Sequence, residues 1–462
     1  MKDRILKTLR DLRAYAIKKG CEFSIYYQEE NSHLMRFANS AISLNTNERL
    51  IRLDITAQDG RKRASYGLIT NLDQVDDMKK GIDIAAEMVV HAMPLNYDPT
   101  MPTFAESFAD ESGFDPALPA MSNAEKLAFF NAAVEGLETD DVKLSGIFSC
   151  GDNIVAQINT RSEHTQYFRI SDAQATIVLA HAKLKWEVQA EQSAYTKAAL
   201  DPEPVRQDLA FLLDRYQHDA PVQLPLGSYD IVFGSAATAD LLSIMNWIGF
   251  SGGSMKRGFS FLGEDKVGQK VFSDKVTLVD DPTRLETFPF KRDFTGMNRE
   301  KPYPLFTGGV FDGFVWVQDD ADEFGAKPTG HTVSHRSISL HGGGKDISSL
   351  EALVAQPRER DIFYVPFLHY MNIVNPSKGV VTASSRFGAL LLKKDGTVAV
   401  PYNVRLTQSL LDIFGDKVAW LSKQTVAYNT SASYGARNPT AVIVPLFMRV
   451  DGLEISHSNS SY

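Results

Sequence analysis

The 462 residues hold only two cysteines, Cys21 and Cys150, and no CxxC pair. A disulfide framework is excluded, and this usage fits a reducing cytoplasm, with both thiols read as small semi-buried side chains. No apolar run approaches the ~18 residues that a membrane helix needs. Met1 to Gly20 carries lysines and arginines throughout and has no uninterrupted apolar core, so it does not read as a signal peptide. Basic charge is also scarce. With 48 Lys and Arg against 57 Asp and Glu, the net charge is −9, which argues against broad electrostatic binding to nucleic acid. Neither a G-x-S-x-G elbow nor a phosphate loop of full spacing occurs, although Gly252-Gly253 and Gly342-Gly343-Gly344-Lys345 bear a superficial likeness to one. There is no repeat and no low-complexity segment. The expectation is a cytoplasmic protein with neither nucleic acid nor membrane as partner.

What is present is an ordinary globular composition, 44% hydrophobic and 23% charged, long enough for two or three domains. Ile5, Leu6, Leu9, Leu12, Ala16 and Ile17 make one helical stripe that Gly20 should end. Strands at Phe23–Tyr27 and Leu50–Ala57, an Asp59-Gly60 turn and a helix from Val75 to Val89 follow. Pro94 to Pro119 holds five prolines and predicts a long surface excursion. A helix at about Asn123–Leu137 precedes strand runs at Val142–Phe148, Ile154–Asn159 and Gln166–Trp186, then a helix at Pro204–Tyr216. The fold class is α+β: a mixed α+β N-terminal domain over 1–220 and a β-rich C-terminal domain over 221–462, divided near Ala220-Pro221. In the second half, Val380–Leu392 and Thr397–Val400 form a hairpin about Asp395-Gly396, Leu406–Phe414 reads as a short helix, Ala441–Val450 as a strand, and Ser456–Tyr462 as a loose tail.

The second half is organised around Tyr229 to Asp281. A buried strand, Tyr229–Phe233, meets Ser235 as a natural N-cap. Leu241, Leu242, Ile244, Met245 and Ile248 then recur at helical spacing, and Gly249, Gly252 and Gly253 end the helix. No histidine lies between His218 and His331. His331, His335 and His341 form the only imidazole cluster, in a segment whose Thr, Val, Ser and Ile favour a strand. On a strand, residues four apart are separated by ~13 Å, too far to share one zinc through bonds of ~2.0–2.1 Å. These three are candidates for a groove beside a peptide path, against the plainer reading as structural histidines. Asp280-Asp281 and Asp319-Asp320 read as solvated turns.

Five short segments occur in an order that resembles the TldD/PmbA family, also called modulators of DNA gyrase. They are Tyr229–Phe233, Lys256-Arg257-Gly258-Phe259-Ser260, Thr277–Pro282, Gly308–Phe314 and Lys327-Pro328-Thr329-Gly330. The order of elements in the first ninety residues is similar too, so the resemblance covers nearly the whole chain. In the peptidase branch, TldD, this helix carries an HExxxH motif in which two imidazoles hold zinc and the glutamate can activate water. Here the corresponding place is about Leu242-Ser243-Ile244-Met245-Asn246-Trp247, without imidazole, thiol or carboxylate. Leu242, Ser243 and Trp247 thus mark a degenerate zinc-helix position. A cysteine ligand of that branch also lacks a counterpart in Tyr428-Asn429-Thr430-Ser431-Ala432-Ser433.

The pattern is similar to the PmbA/TldE branch. That resemblance implies a non-catalytic subunit with no catalytic residue or metal ligand of its own, zinc being carried by a TldD-like partner. The assembly implied is a heterodimer or larger, or a homodimer, acting on unfolded or small peptides and peptide precursors. An autonomous metallopeptidase with unrecognised ligands, or a regulatory binding protein such as a gyrase modulator, stay open as alternatives.

Overall fold

The computed structural model describes residues 1–219, 221–333, 336–431 and 437–462. Helix Lys2–Ala16 buries the stripe Ile5, Leu6, Leu9, Leu12 and Ala16. A 3-10 turn follows, and Gly20 ends it at φ 82°, the left-handed conformation that costs glycine least. Ile17, read as part of the stripe, is exposed.

The N-terminal half is built on one seven-stranded sheet. Its order is Lys62–Thr70, Ala41–Asp59, Glu22–Ala38, Val142–Asn159, Thr165–His181 and Phe108–Gly113, with Glu187–Ala194 also paired to Thr165–His181. Helices Lys2–Ala16 and Val75–His91 cover one patch of this sheet, packed on Phe23, Ile25 and Tyr27. Helices Asn123–Val134 and Pro202–His218 cover a second patch, against Phe148, Cys150, Ala173 and Ala175. The former begins with a reciprocal capping box between Ser122 and Glu125, and the latter is capped by Asp201.

The C-terminal half holds two further sheets. A ten-stranded one runs from the edge strand Phe367–Asn375 through Val380–Arg386, Val404–Ser409, Phe447–Ser458, Gly227–Gly234 and Ile362–Val365 to Pro221–Val222. A six-stranded one runs from Val310–Phe311 through Leu278–Asp280, Ile338–Leu340 and Ala441–Pro445 to the edge strand Thr425–Asn429. Helix Ser235–Gly249 lies between them, in one apolar core. The fold is therefore α+β with a β-rich second half. A separate core joins Leu209, Leu212 and Tyr216 to Val232, Tyr364 and Phe447, so the halves share buried surface. Among the described residues no helix is long and apolar enough to cross a membrane.

Several local expectations are corrected. Gly234, not Ser235, is the N-cap of the central helix, and no side chain caps it. Gly252 and Gly253 open a short helix, Gly252–Lys256. A Cβ on Gly252 would fall 2.2 Å from the Trp316 ring, and one on Gly253 would fall 2.1 Å from the Asp320 carboxylate. Glycine here serves close approach rather than helix termination. The proline-rich 94–119 segment is not all surface: Phe108–Gly113 pairs into the sheet, and Met101, Phe104 and Leu118 are buried.

Val142–Asn159 is one continuous strand. Its polar middle is satisfied by tertiary partners, among them Arg169 on Asp152 at 2.8 Å. Leu406–Phe414 divides into the end of strand Val404–Ser409 and one helical turn. The tail is not loose: its strand continues to Ser458, and Tyr462 packs on Tyr216 and Tyr402. Asp319 and Asp320 lie on helix Gln318–Phe324, paired with Arg63 at 2.6 Å and Arg257 at 2.9 Å.

Candidate functional site

Helix Ser235–Gly249 buries Leu241, Leu242, Met245 and Ile248 on its inward side. Asp240, Ser243 and Trp247, spaced i, i+3 and i+7, share another face. Trp247 is 68% exposed. Ser243 is half-buried with no partner for its hydroxyl. Leu242 is buried in the core. Asn246 is also buried, and its amide donates to the Val333 carbonyl at 3.0 Å.

Three sheet edges converge beside this helix. Phe367–Asn375 ends the ten-stranded sheet, Thr425–Asn429 ends the six-stranded one, and Glu187–Ala194 pairs on one side only. The helix touches the first two, and Glu187–Ala194 meets Thr425–Asn429. Such edges keep free N–H and C=O groups that can hydrogen-bond an extended chain without regard to its sequence.

Between them lies a cavity of about 260 Å³, lined by Glu191, Asp208, Ser235, Tyr364, Phe367 and Tyr428 among others. Burial pushes the Glu191 carboxyl up to about 8; the nearby Asp240 charge adds to the rise, while bonds with Tyr428 and Gln189 oppose it. Burial likewise lifts Asp240 to about 7 and Asp208 to about 6. No arginine or lysine is among the causes of these shifts. The pair Glu191 and Asp240 therefore holds a proton near neutrality and can both donate and accept a hydrogen bond.

Sequence reasoning missed all four of these groups, Glu191, Asp208, Asp240 and Tyr428. The one local signal was a lone carboxylate, Asp240, within the otherwise uncharged run Ala236 to Leu242.

The histidine cluster resolves differently. His331 is only 5% exposed, so its reading as a groove residue is corrected. Its Nδ1 lies 2.6 Å from Asp280 Oδ2, and its ring stacks on Tyr303 with centroids 4.9 Å apart. Asp280 is not a solvated turn either. It is 2% exposed and accepts from Arg299 at 3.0 Å and from the Ser337 amide at 2.6 Å. Burial alone would raise the Asp280 carboxyl, but Arg299, His331 and the Ser337 amide outweigh it and hold the group below its usual value. His341 is exposed at the end of strand Ile338–Leu340 and is not brought to His331 by any contact. His335 lies outside the described residues, as do Ala220 at the expected domain boundary and Ala432 and Ser433 of the expected cysteine region.

The donors at the helix do not fit zinc. Leu242, Ile244, Met245 and Trp247 offer no hard or imidazole ligand, Ser243 has a neutral hydroxyl, and the Asn246 amide is committed to a carbonyl. Among the described residues, no three His, Cys, Asp or Glu side chains come together as a ligand set.

A helix held between two sheets, beside three sheet edges, is the architecture that organises this α+β fold. Residues 226–457 match the family model of the PmbA/TldA metallopeptidase C-terminal domain. That match spans half of the chain, and the protein belongs to the TldD/PmbA family. The whole fold is similar to TldE from Thermococcus kodakarensis, with a TM-score of 0.80 at 17% identity over 97% of this chain and 99% of that one. It is similar as well to two proteins designated as candidate modulators of DNA gyrase. The one from Thermotoga maritima has a TM-score of 0.75 at 16% identity over 97% and 99% of the two chains. The one from Bacteroides thetaiotaomicron has a TM-score of 0.76 at 17% identity over 98% of each. No curated protein matches.

Proposed function

We propose that the chain is a TldE-like, non-catalytic subunit of a TldD/TldE-type zinc metallopeptidase complex acting on unfolded or small peptides and peptide precursors. The observation that carries this reading is the helix Ser235–Gly249. It sits beside three free strand edges, suited to an extended peptide, yet presents Asp240, Ser243 and Trp247 instead of a zinc ligand set. Zinc and the hydrolytic step belong to a TldD-like partner in this proposal. This chain's own residues hold the peptide backbone and close the chamber against folded proteins, whose backbone groups are already paired.

The test is to mix the purified chain with a TldD-like peptidase subunit and measure complex formation, zinc per chain and cleavage of an unstructured peptide. The expected result is a stable complex whose zinc stays with the partner and whose cleavage needs both chains. One tightly held zinc on this chain after chelation and reloading, or cleavage by this chain alone, would overturn the reading.

A further inference from the structure

A second cavity, of about 460 Å³, opens between the two halves and shares no lining residue with the first. Its wall collects unusual backbone. Six non-glycine residues among those described have positive φ, and three of them, Lys185 at 65°, Tyr370 at 50° and Phe387 at 60°, line this cavity. Left-handed backbone is strained for bulky side chains, and such strain concentrates where a site requires it. Lys185 closes a hairpin, and Tyr370 sits at an irregularity of the sheet edge. It lies in the break of register between His369 and Asn372 on the edge strand Phe367–Asn375, with its ring 71% exposed.

The chemistry of the wall is donor-rich. Its one side-chain carboxylate, Glu187, is already taken by Arg386, through Nε at 3.0 Å and Nη2 at 2.7 Å. Arg386 Nη1 is left uncommitted, with the guanidinium 4.6 Å from the Phe387 ring centroid. The Lys185 ammonium and the side-chain amides of Asn403 and Asn459 make no hydrogen bond or ion pair among the described residues. Burial and the charge of Arg386 lower the His369 pKa, with Glu187 opposing. Cationic donors and flat rings thus face one space in which no uncommitted side-chain carboxylate lies among the described residues.

We propose that this cavity binds a carboxylate whose adjoining group is a flat aromatic side chain, as in the C-terminal residue of a peptide or a free N-acylated aromatic amino acid. Lys185 and Arg386 Nη1 meet the carboxylate, the two amides complete its hydrogen bonds, and Tyr370 and Phe387 flank the side chain. The inference is independent of any peptidase partner and is tested on this chain alone.

The experiment is calorimetric titration of the full chain with N-acetylphenylalanine and with its amide. The acid is expected to bind at least about tenfold more tightly than the amide, the effect of one charge-assisted hydrogen bond. Lys185→Gln should remove most of that ratio. Tyr370→Gly should weaken the acid while raising the melting temperature, because glycine relieves the left-handed backbone; a merely structural tyrosine would not separate the two readouts. A hexapeptide ending in phenylalanine that binds more tightly than the single residue would identify a peptide terminus as the source, and equal binding would identify the free acid. Equal affinity for acid and amide, no binding of either, or unchanged affinity in both variants would overturn the proposal.

Discussion

Two groups of carboxylates in this protein, one buried and one half-buried, have opposite surroundings. Asp280 is enclosed by Arg299, His331 and the Ser337 amide, and its pKa falls. Glu191, which feels the charge of Asp240, and Asp240 itself have no cation among the causes of their shifts, and theirs rise to about 8 and about 7. Asp280 is the more deeply buried, yet its pKa is the one that falls, so burial is not what separates them. The difference lies in whether a compensating cation was enclosed with the acid. A carboxylate partnered at both oxygens ties strand Leu278–Asp280 to the segment ahead of strand Ile338–Leu340 and serves the framework. An acid pair without a cation, one member of which lines a cavity, is kept at a cost to stability, which is how a site differs from a scaffold.

That contrast can be broken most strongly at Asp280. Asp280→Asn keeps the shape but leaves Arg299 buried without a counter-charge, and should cost about 3–5 kcal/mol in denaturant unfolding. The pH dependence follows from the sign of the shift. Because the folded pKa is depressed, the stabilisation is present above the unfolded value, ~3.9, and is lost as pH falls through the lower folded one. The variant should lack this acid-dependent loss.

Glu191→Gln should act in the opposite direction. Its folded pKa lies above the unfolded value of ~4.3, so ionisation opposes folding increasingly from about pH 4 up to about pH 8. The variant should therefore gain about 1–3 kcal/mol at pH 8 and little at pH 5, as read by melting curves at the two pH values. A variant as pH-dependent as the parent would remove Glu191 from the comparison.

The smallest expected effect is at Trp247. Trp247→Ala removes an exposed ring, so stability should change by no more than about 0.5 kcal/mol. Binding of a TldD-like subunit or of an unstructured peptide, followed by fluorescence anisotropy, should nevertheless weaken. Unchanged binding would leave the exposed face of the helix without a role.

Much of the framework was legible because it depends on local periodicity. The stripe Ile5 to Ala16 and the inward side Leu241, Leu242, Met245 and Ile248 follow from spacing alone, as do the turns at Gly20 and Asp395-Gly396. Misreadings fell where a polar residue is satisfied by something distant in sequence. Ser149 to Asn153 looked like a break in a strand. In the fold, Arg437 reaches across to donate to Asp172 at 2.8 Å and to Ser149 at 3.1 Å, while Asn153 donates to its carbonyl. Asp280 looked like a turn because Asp281 and Pro282 follow it, and nothing local announces Arg299 or His331.

The sequence by itself determined which faces of its helices and strands must leave water, and that the central helix carries no imidazole or thiol. Those properties are set by residue type and by periods of two and 3.6 residues. Only the tertiary structure decided which buried acids acquired a cation, which sheet edges stayed open beside the helix, and where Lys185, Tyr370 and Phe387 came together. Such choices depend on contacts between residues tens to hundreds of positions apart, and no local pattern records them.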